Sequence, residues 1–349
     1  MLAPQIPTSQ QYHRTLNRMG WAMCLFVAAF NVTSVVSLMF DVLAEFSNHR
    51  VFTIILTAIG SIVSSVAYML PFFLTGIFYY LLSKKDRTRR ISFKIKPVRE
   101  FPLLILAGLA IITVAAYANS WICELIGYRI PDILIAPSSY DNPAVIVMYM
   151  TVSLAPAFAE EFLFRGVFYS ELRPYGRTQA VLLSALLFAL MHQNIAQIFY
   201  TFAAGIAMAY MYELTDSIWC GVFFHMINNE LSVLTDVLIN GRFSEAALPY
   251  LRIFEGIYCV LGVISIVILV FYYRKKKAAA PAVTSTGLCG VSSDTVEAYD
   301  QPLSRKAVLK GMRAPGFIVF TVLIVAMMCA TWLSLIFLNS VPDLGEYLS

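Results

Sequence analysis

The stretch AVIVMYMTVSLAPAFAEEFLFRGVFY, residues 144–169, decides how the rest of the chain is read. It is long and apolar enough to cross a hydrocarbon layer, which takes about 20 residues of helix. It nevertheless carries Glu160, Glu161 and Arg165. Each such charge costs about 2.5–3.5 kcal/mol at a helix centre, so together they need partners or a wet cavity, and an ionisable residue in such a span defaults to a functional reading. Helix geometry separates the three. Glu161 and Arg165 stand at i,i+4, share a face and can form a salt bridge. Glu160 points about 100° away and is left without that partner. The pair is open to a purely structural reading, as an ion pair that positions helices. Glu160 is harder to explain in that way.

The surrounding composition agrees with a span. Of 349 residues, 59% are hydrophobic and 13% charged, with a mean hydropathy of +0.72. Soluble domains run near 45–50% apolar and about 25% charged. A soluble core cannot hide this much apolar surface, so the chain reads as an integral membrane protein whose first partner is the lipid bilayer and not nucleic acid. Apolar runs predict spans at Gly20–Val42, Phe52–Leu82, Phe101–Cys123, Ala144–Tyr169, Thr178–His192, Ile195–Leu214, Ile218–Ile239, Tyr250–Tyr273 and Pro315–Asn339. His192-Gln193-Asn194 interrupts one long apolar region and is read as a break. The six cysteines are scattered without a CxxC pair, which argues against a disulfide framework or a cysteine zinc site. The first apolar run is too long for a signal-peptide core.

Basic residues cluster at Arg14 and Arg18, at Lys84–Arg99, at Arg173 and Arg177, and at Arg274–Lys277. By the positive-inside rule a cytoplasmic N-terminus puts all four groups on one side. The loop Cys123–Pro143 and the acidic tail then fall outside, giving a multi-pass cell-membrane protein. The expected organisation is N-terminal transmembrane helices over 1–143, a catalytic core over 144–240 and a further span over 241–273. A flexible cytoplasmic linker over 274–314, rich in small and polar residues, leads to a last span with a short outer tail over 315–349. The predicted fold is all-α and polytopic: a core bundle of about eight helices plus an additional C-terminal transmembrane helix.

Two of the four histidines, His192 and His225, fall in or at the ends of apolar helices. His225 and Asn229 are i,i+4, so one face presents an imidazole and an amide together. That combination can ligate, donate hydrogen bonds or stabilise an oxyanion. It can also simply join helices, a common use of these side chains in membranes. Glu160 and His225 lie at similar depths, roughly 15 and 12 Å from the same side at 1.5 Å per residue. A carboxylate beside an imidazole can take a proton from water. Alternatively Glu160, His192 and His225 could hold zinc or another divalent metal with an open position for water. No serine or cysteine stands in a nucleophile motif.

Glu160-Glu161-xxx-Arg165, Phe188-xxx-His192 and His225-xxx-Asn229, in that order on separate helices, resemble the CAAX-protease and bacteriocin-processing family. These are the CPBP or Abi intramembrane proteases, which include the prenyl-protein endoproteases. The resemblance covers about Ala144–Asp236. It implies a helical bundle enclosing a polar cavity, in which Glu160 and His192 activate water and His225 and Asn229 stabilise the oxyanion. It also implies that Glu161 and Arg165 support the site. The activity implied is hydrolysis of a peptide bond in a membrane-associated peptide or protein. The family has been described both as metal-dependent and as glutamate-dependent, and the residues suit either; the glutamate scheme without a tightly bound metal is preferred. The absence of a targeting extension points to a bacterial plasma membrane. The competing readings are a non-enzymatic membrane protein, such as an immunity factor or scaffold, and a transporter using the same residues as a relay.

Overall fold

The structure, a computed structural model, describes residues 8–46, 50–83, 91–94, 99–127, 156–240, 244–279 and 303–340. Among these residues it is all-α, with ten helices and no strand. They are α1 (Ser9–Glu45), α2 (Arg50–Leu82), α3 (Phe101–Leu125) and α4 (156–172). After them come α5 (Arg177–Met191), α6 (Ile195–Thr215), α7 (Ile218–Asn240), α8 (Ser244–Ala279), α9 (Arg305–Met312) and α10 (Pro315–Ser340). Every predicted span coincides with one of these helices, although residues 144–155 of the fourth lie outside the described residues.

Among the described residues five helices are long and apolar enough to cross a membrane: those within α1, α3, α6, α8 and α10. Val66–Leu82 and α5 are shorter apolar helices. The protein is therefore a multi-pass membrane protein. The exposed face of α8 confirms the solvent for which the helix is built. Val260, Val263, Ile264, Val267 and Phe271 all stand exposed in one helix, a pattern that fits lipid and not water.

The break at His192-Gln193-Asn194 is a tight turn. Gln193 adopts φ 54°, and the Asn194 side chain accepts the Ala196 N–H at 2.9 Å, capping α6. The two helices it joins lie so close that a Cβ on Gly205 would sit 2.8 Å from the Ala185 backbone. Asn119 of α3 donates to the Ala196 carbonyl at 2.5 Å, fixing the start of α6 from outside. At the other end of α6, Glu213 accepts from Arg173 at 2.7–3.0 Å and from the Tyr169 hydroxyl. Arg173, expected only as a topological signal, thus also ties α4 to α6.

The segment 91–94 lies across the turn between α6 and α7. Ser92 Oγ donates to Asp216 O at 2.7 Å, Ser217 Oγ to Lys94 O at 2.7 Å, and the Trp219 indole to Phe93 O at 3.0 Å. The other residues of Lys84–Arg99 lie outside the described set, apart from Arg99 itself.

The linker reading of 274–314 needs correction at both ends. Helix α8 runs on through the basic residues to Ala279. Arg305–Met312 form α9, capped by Ser304 Oγ, which accepts from Ala307 N. A short helix with one buried face carries too few turns for a visible period. Gly311 of α9 packs directly on the Tyr12 ring. Residues 280–302 lie outside the described residues.

The last span is docked on α1 through two glycines. A Cβ on Gly20 would fall 2.1 Å from the Gly316 carbonyl carbon, and Asn17 Oδ1 accepts the Gly316 N–H at 2.8 Å. Small residues allow this approach, the usual device of helix association in lipid. Gly20→Val is expected to lower stability by about 1–3 kcal/mol through overpacking. Thermal unfolding of the detergent-solubilised protein measures it, and an unchanged midpoint would contradict the contact.

Candidate active site

Helix α4 is the only described helix with a π-wound middle, over Phe162–Tyr169. Such segments add a residue to the turn and recur at functional sites. Arg165 still meets Glu161 across one turn, with Nη1 2.5 Å from Oε1 and both side chains fully buried. Arg165 is also satisfied elsewhere. Nη2 donates to the Gly205 carbonyl at 3.2 Å, and the guanidinium lies 4.5 Å over the Phe188 ring. The Gly205 carbonyl is available there because the same glycine lets α5 and α6 approach.

Phe188 is the wall against which the site is built. Its ring packs edge-on to His192 at 5.2 Å and to His225 at 5.8 Å. His192 caps the end of α5, and its Nδ1 lies 2.9 Å from the Phe188 carbonyl. A carbonyl only accepts, so Nδ1 carries the proton and a neutral ring keeps its lone pair on Nε2. His225, on α7, stands between two carboxylates. Its Nε2 is 3.7 Å from Glu160 Oε2 and its Nδ1 is 3.5 Å from Glu161 Oε1. Helix α7 comes this near because residue 221 is glycine; a Cβ there would sit 2.5 Å from Glu161 Oε2.

Glu160 is buried at 3% exposure. Its Oε1 accepts the Tyr68 hydroxyl at 2.7 Å, while Oε2 has no hydrogen-bond partner among the described residues. Glu160, His192, His225 and Asn229 line one cavity of about 560 Å³, together with residues of α1, α2 and α6. Four side chains from three sequence motifs therefore converge, while Glu161 and Arg165 lie behind them with no exposed surface.

Sequence reasoning missed the opposite wall. Tyr68 comes from α2, Gln197 and Tyr200 from α6, and Thr33, Ser34 and Ser37 from α1. The α1 hydroxyls bond back to carbonyls of their own helix at 2.8–3.1 Å. Their spacing marks a polar stripe in an apolar span, a signal that could have been found. Tyr68 offers no such signal, because one phenol among many apolar residues is ordinary.

Among the described residues no three His, Cys, Asp or Glu side chains come together as a metal site.

Comparison with known proteins falls on this same segment. Residues 142–231 match the family described as Type II CAAX prenyl endopeptidase Rce1-like. That range contains Glu160, Glu161, Arg165, His192, His225 and Asn229, so the family resemblance drawn from the three motifs holds there. The chain is also similar to "Putative membrane peptidase YdiL" of Bacillus subtilis (strain 168), with 29% identity over 94 residues. The match takes in 26% of this chain and 38% of that protein, so the chain spans well under half the length of the curated relative. No solved structure matches.

The two kinds of buried charge should respond differently to neutralisation. Arg165→Met strands Glu161 in a dry environment and is expected to cost about 3–5 kcal/mol of stability. Glu160→Gln removes a charge that faces a cavity and should change stability by less than about 1 kcal/mol. Thermal unfolding of the two variants in detergent separates them; equal destabilisation would contradict the division.

Proposed function

We propose that this protein is a membrane-embedded endopeptidase that cleaves membrane-anchored peptides with water activated by Glu160. One observation carries the reading: a buried carboxylate oxygen without a hydrogen-bond partner faces an imidazole nitrogen at 3.7 Å inside a polar cavity. A water oxygen about 2.8 Å from each atom fits beside such a pair. The match to a CAAX prenyl endopeptidase family supports the same reaction.

In this scheme Glu160 Oε2 takes a proton from water as the oxygen attacks the peptide carbonyl carbon. The proton then passes to the leaving nitrogen as the C–N bond breaks. His192 accepts through Nε2 and helps to orient the water. The carbonyl oxygen becomes an anion next to His225 and Asn229, neighbours at i,i+4 on α7, whose N–H donors stabilise it. Carboxylates flank both ring nitrogens of His225. Glu161 and Arg165 hold that imidazole and the helices around it. The proposed substrate reaches the cavity from the bilayer, since the walls are membrane-spanning helices.

Glu160→Gln is expected to lower cleavage by about a thousandfold, within the usual range for a lost general base. The assay compares it with wild type in proteoliposomes, on lipid-anchored peptides that include C-terminally prenylated ones. Equal cleavage by the two proteins sinks the mechanism. In this scheme no metal takes part, so dialysis against a chelator should leave the wild-type rate unchanged. A loss of rate restored by added zinc would reverse that conclusion.

A further inference from the structure

We propose that Tyr68 is a positioning residue of this site, whose hydroxyl holds Glu160 Oε1 and leaves Oε2 as the oxygen that takes the proton. The proposal rests on the reading of Glu160 as the general base. Tyr68 lies 92 positions before Glu160, on α2, outside the segment that matches the peptidase family. Its hydroxyl donates to Oε1 at 2.7 Å, the length of a strong O–H···O bond to a charged acceptor. The other carboxylate oxygen has no hydrogen-bond partner among the described residues and looks toward His225 Nε2. The two oxygens of one carboxylate are therefore made unequal by a single phenol.

The phenol is itself held rigidly. Its ring packs against Phe30 of α1 at 5.6 Å and against Phe72 at 5.5 Å. Phe72 in turn meets Phe26 and Phe164, so the cluster runs from α1 to α4. Helix α2 is pressed onto α4 near this point, where a Cβ on Gly76 would lie 2.9 Å from the Phe162 ring. A hydroxyl on so constrained a ring can select one oxygen and stop the carboxylate from rotating.

The role has two parts that can be measured separately. A donor to the charged form makes that form easier to reach, and an oriented carboxylate has a better proton-transfer geometry. Tyr68→Phe removes the hydroxyl and keeps every ring contact, so the bundle should fold. Glu160 protonation is followed by infrared titration of the detergent-solubilised protein, with the Glu160 band assigned by its loss in Glu160→Gln. We expect that band to titrate at higher pH in Tyr68→Phe than in wild type. In the cleavage assay we expect kcat to fall about tenfold or more with KM nearly unchanged, the effect of losing one bond to a charged group. The acid limb of the kcat/KM profile should move to higher pH in parallel. An unmoved Glu160 band overturns the proposal, whatever the cleavage assay gives. A moved band with no cleavage by wild type upholds the Tyr68 bond to Glu160 and refutes the peptidase reading instead.

Discussion

A guanidinium with no exposed surface, in the middle of an apolar bundle, is the constraint on which the rest depends. Arg165 cannot be neutralised by losing its proton. It must be met by the protein, and three elements meet it: Glu161 from its own helix, the Gly205 carbonyl from α6 and the Phe188 ring from α5. Each partner imposes a condition elsewhere. The carbonyl requires a close α5–α6 approach, which residue 205 permits by being glycine. The ring fixes the face of α5 from which both histidines are packed. Glu161, once bound to Arg165, presents one oxygen to His225 Nδ1 and so orients the imidazole toward Glu160. The adjacent glutamates thus have unlike environments. One is sealed behind the wall with a fixed counter-ion, and the other opens on a cavity.

The local winding of α4 fits this division. A π-segment over Phe162–Tyr169 keeps Glu161 and Arg165 together while changing the angular spacing of the residues beyond them. Aromatic residues of the segment, Phe164 and Phe168 among them, fill the space toward α2 and α5 with edge-on ring contacts. Aromatic packing thereby replaces the polar interactions that membrane helices otherwise use for register.

Much of this arrangement was legible in the sequence, and what was not has a physical reason. The nine apolar runs fall on nine of the described helices, five of them long and apolar enough to cross the hydrocarbon layer. The Glu161–Arg165 pair was visible because i,i+4 geometry survives in the folded helix. The pairing of Glu160 with His225 could be approached through depth alone, since two charges at one level must either meet or face water. Tyr68 could not be found that way. Its role comes from the lateral packing of α2 on α4, and no one-dimensional pattern encodes which helices are neighbours. Helix α9 escaped for another reason: its eight residues are shorter than the window over which periodicity is measurable.

The glycine crossing of α1 and α10 carries a consequence for how the chain is assembled. The bond from Gly316 N–H to Asn17 joins residues 299 positions apart. During synthesis α1 emerges well before its partner. The face of α1 around Asn17 and Gly20 therefore waits, bare of its own contact, through the insertion of every intervening helix. Non-local contacts of this kind are formed late and slowly. The opposite faces of α1 are then completed at different times, the α2-facing side before the α10-facing side.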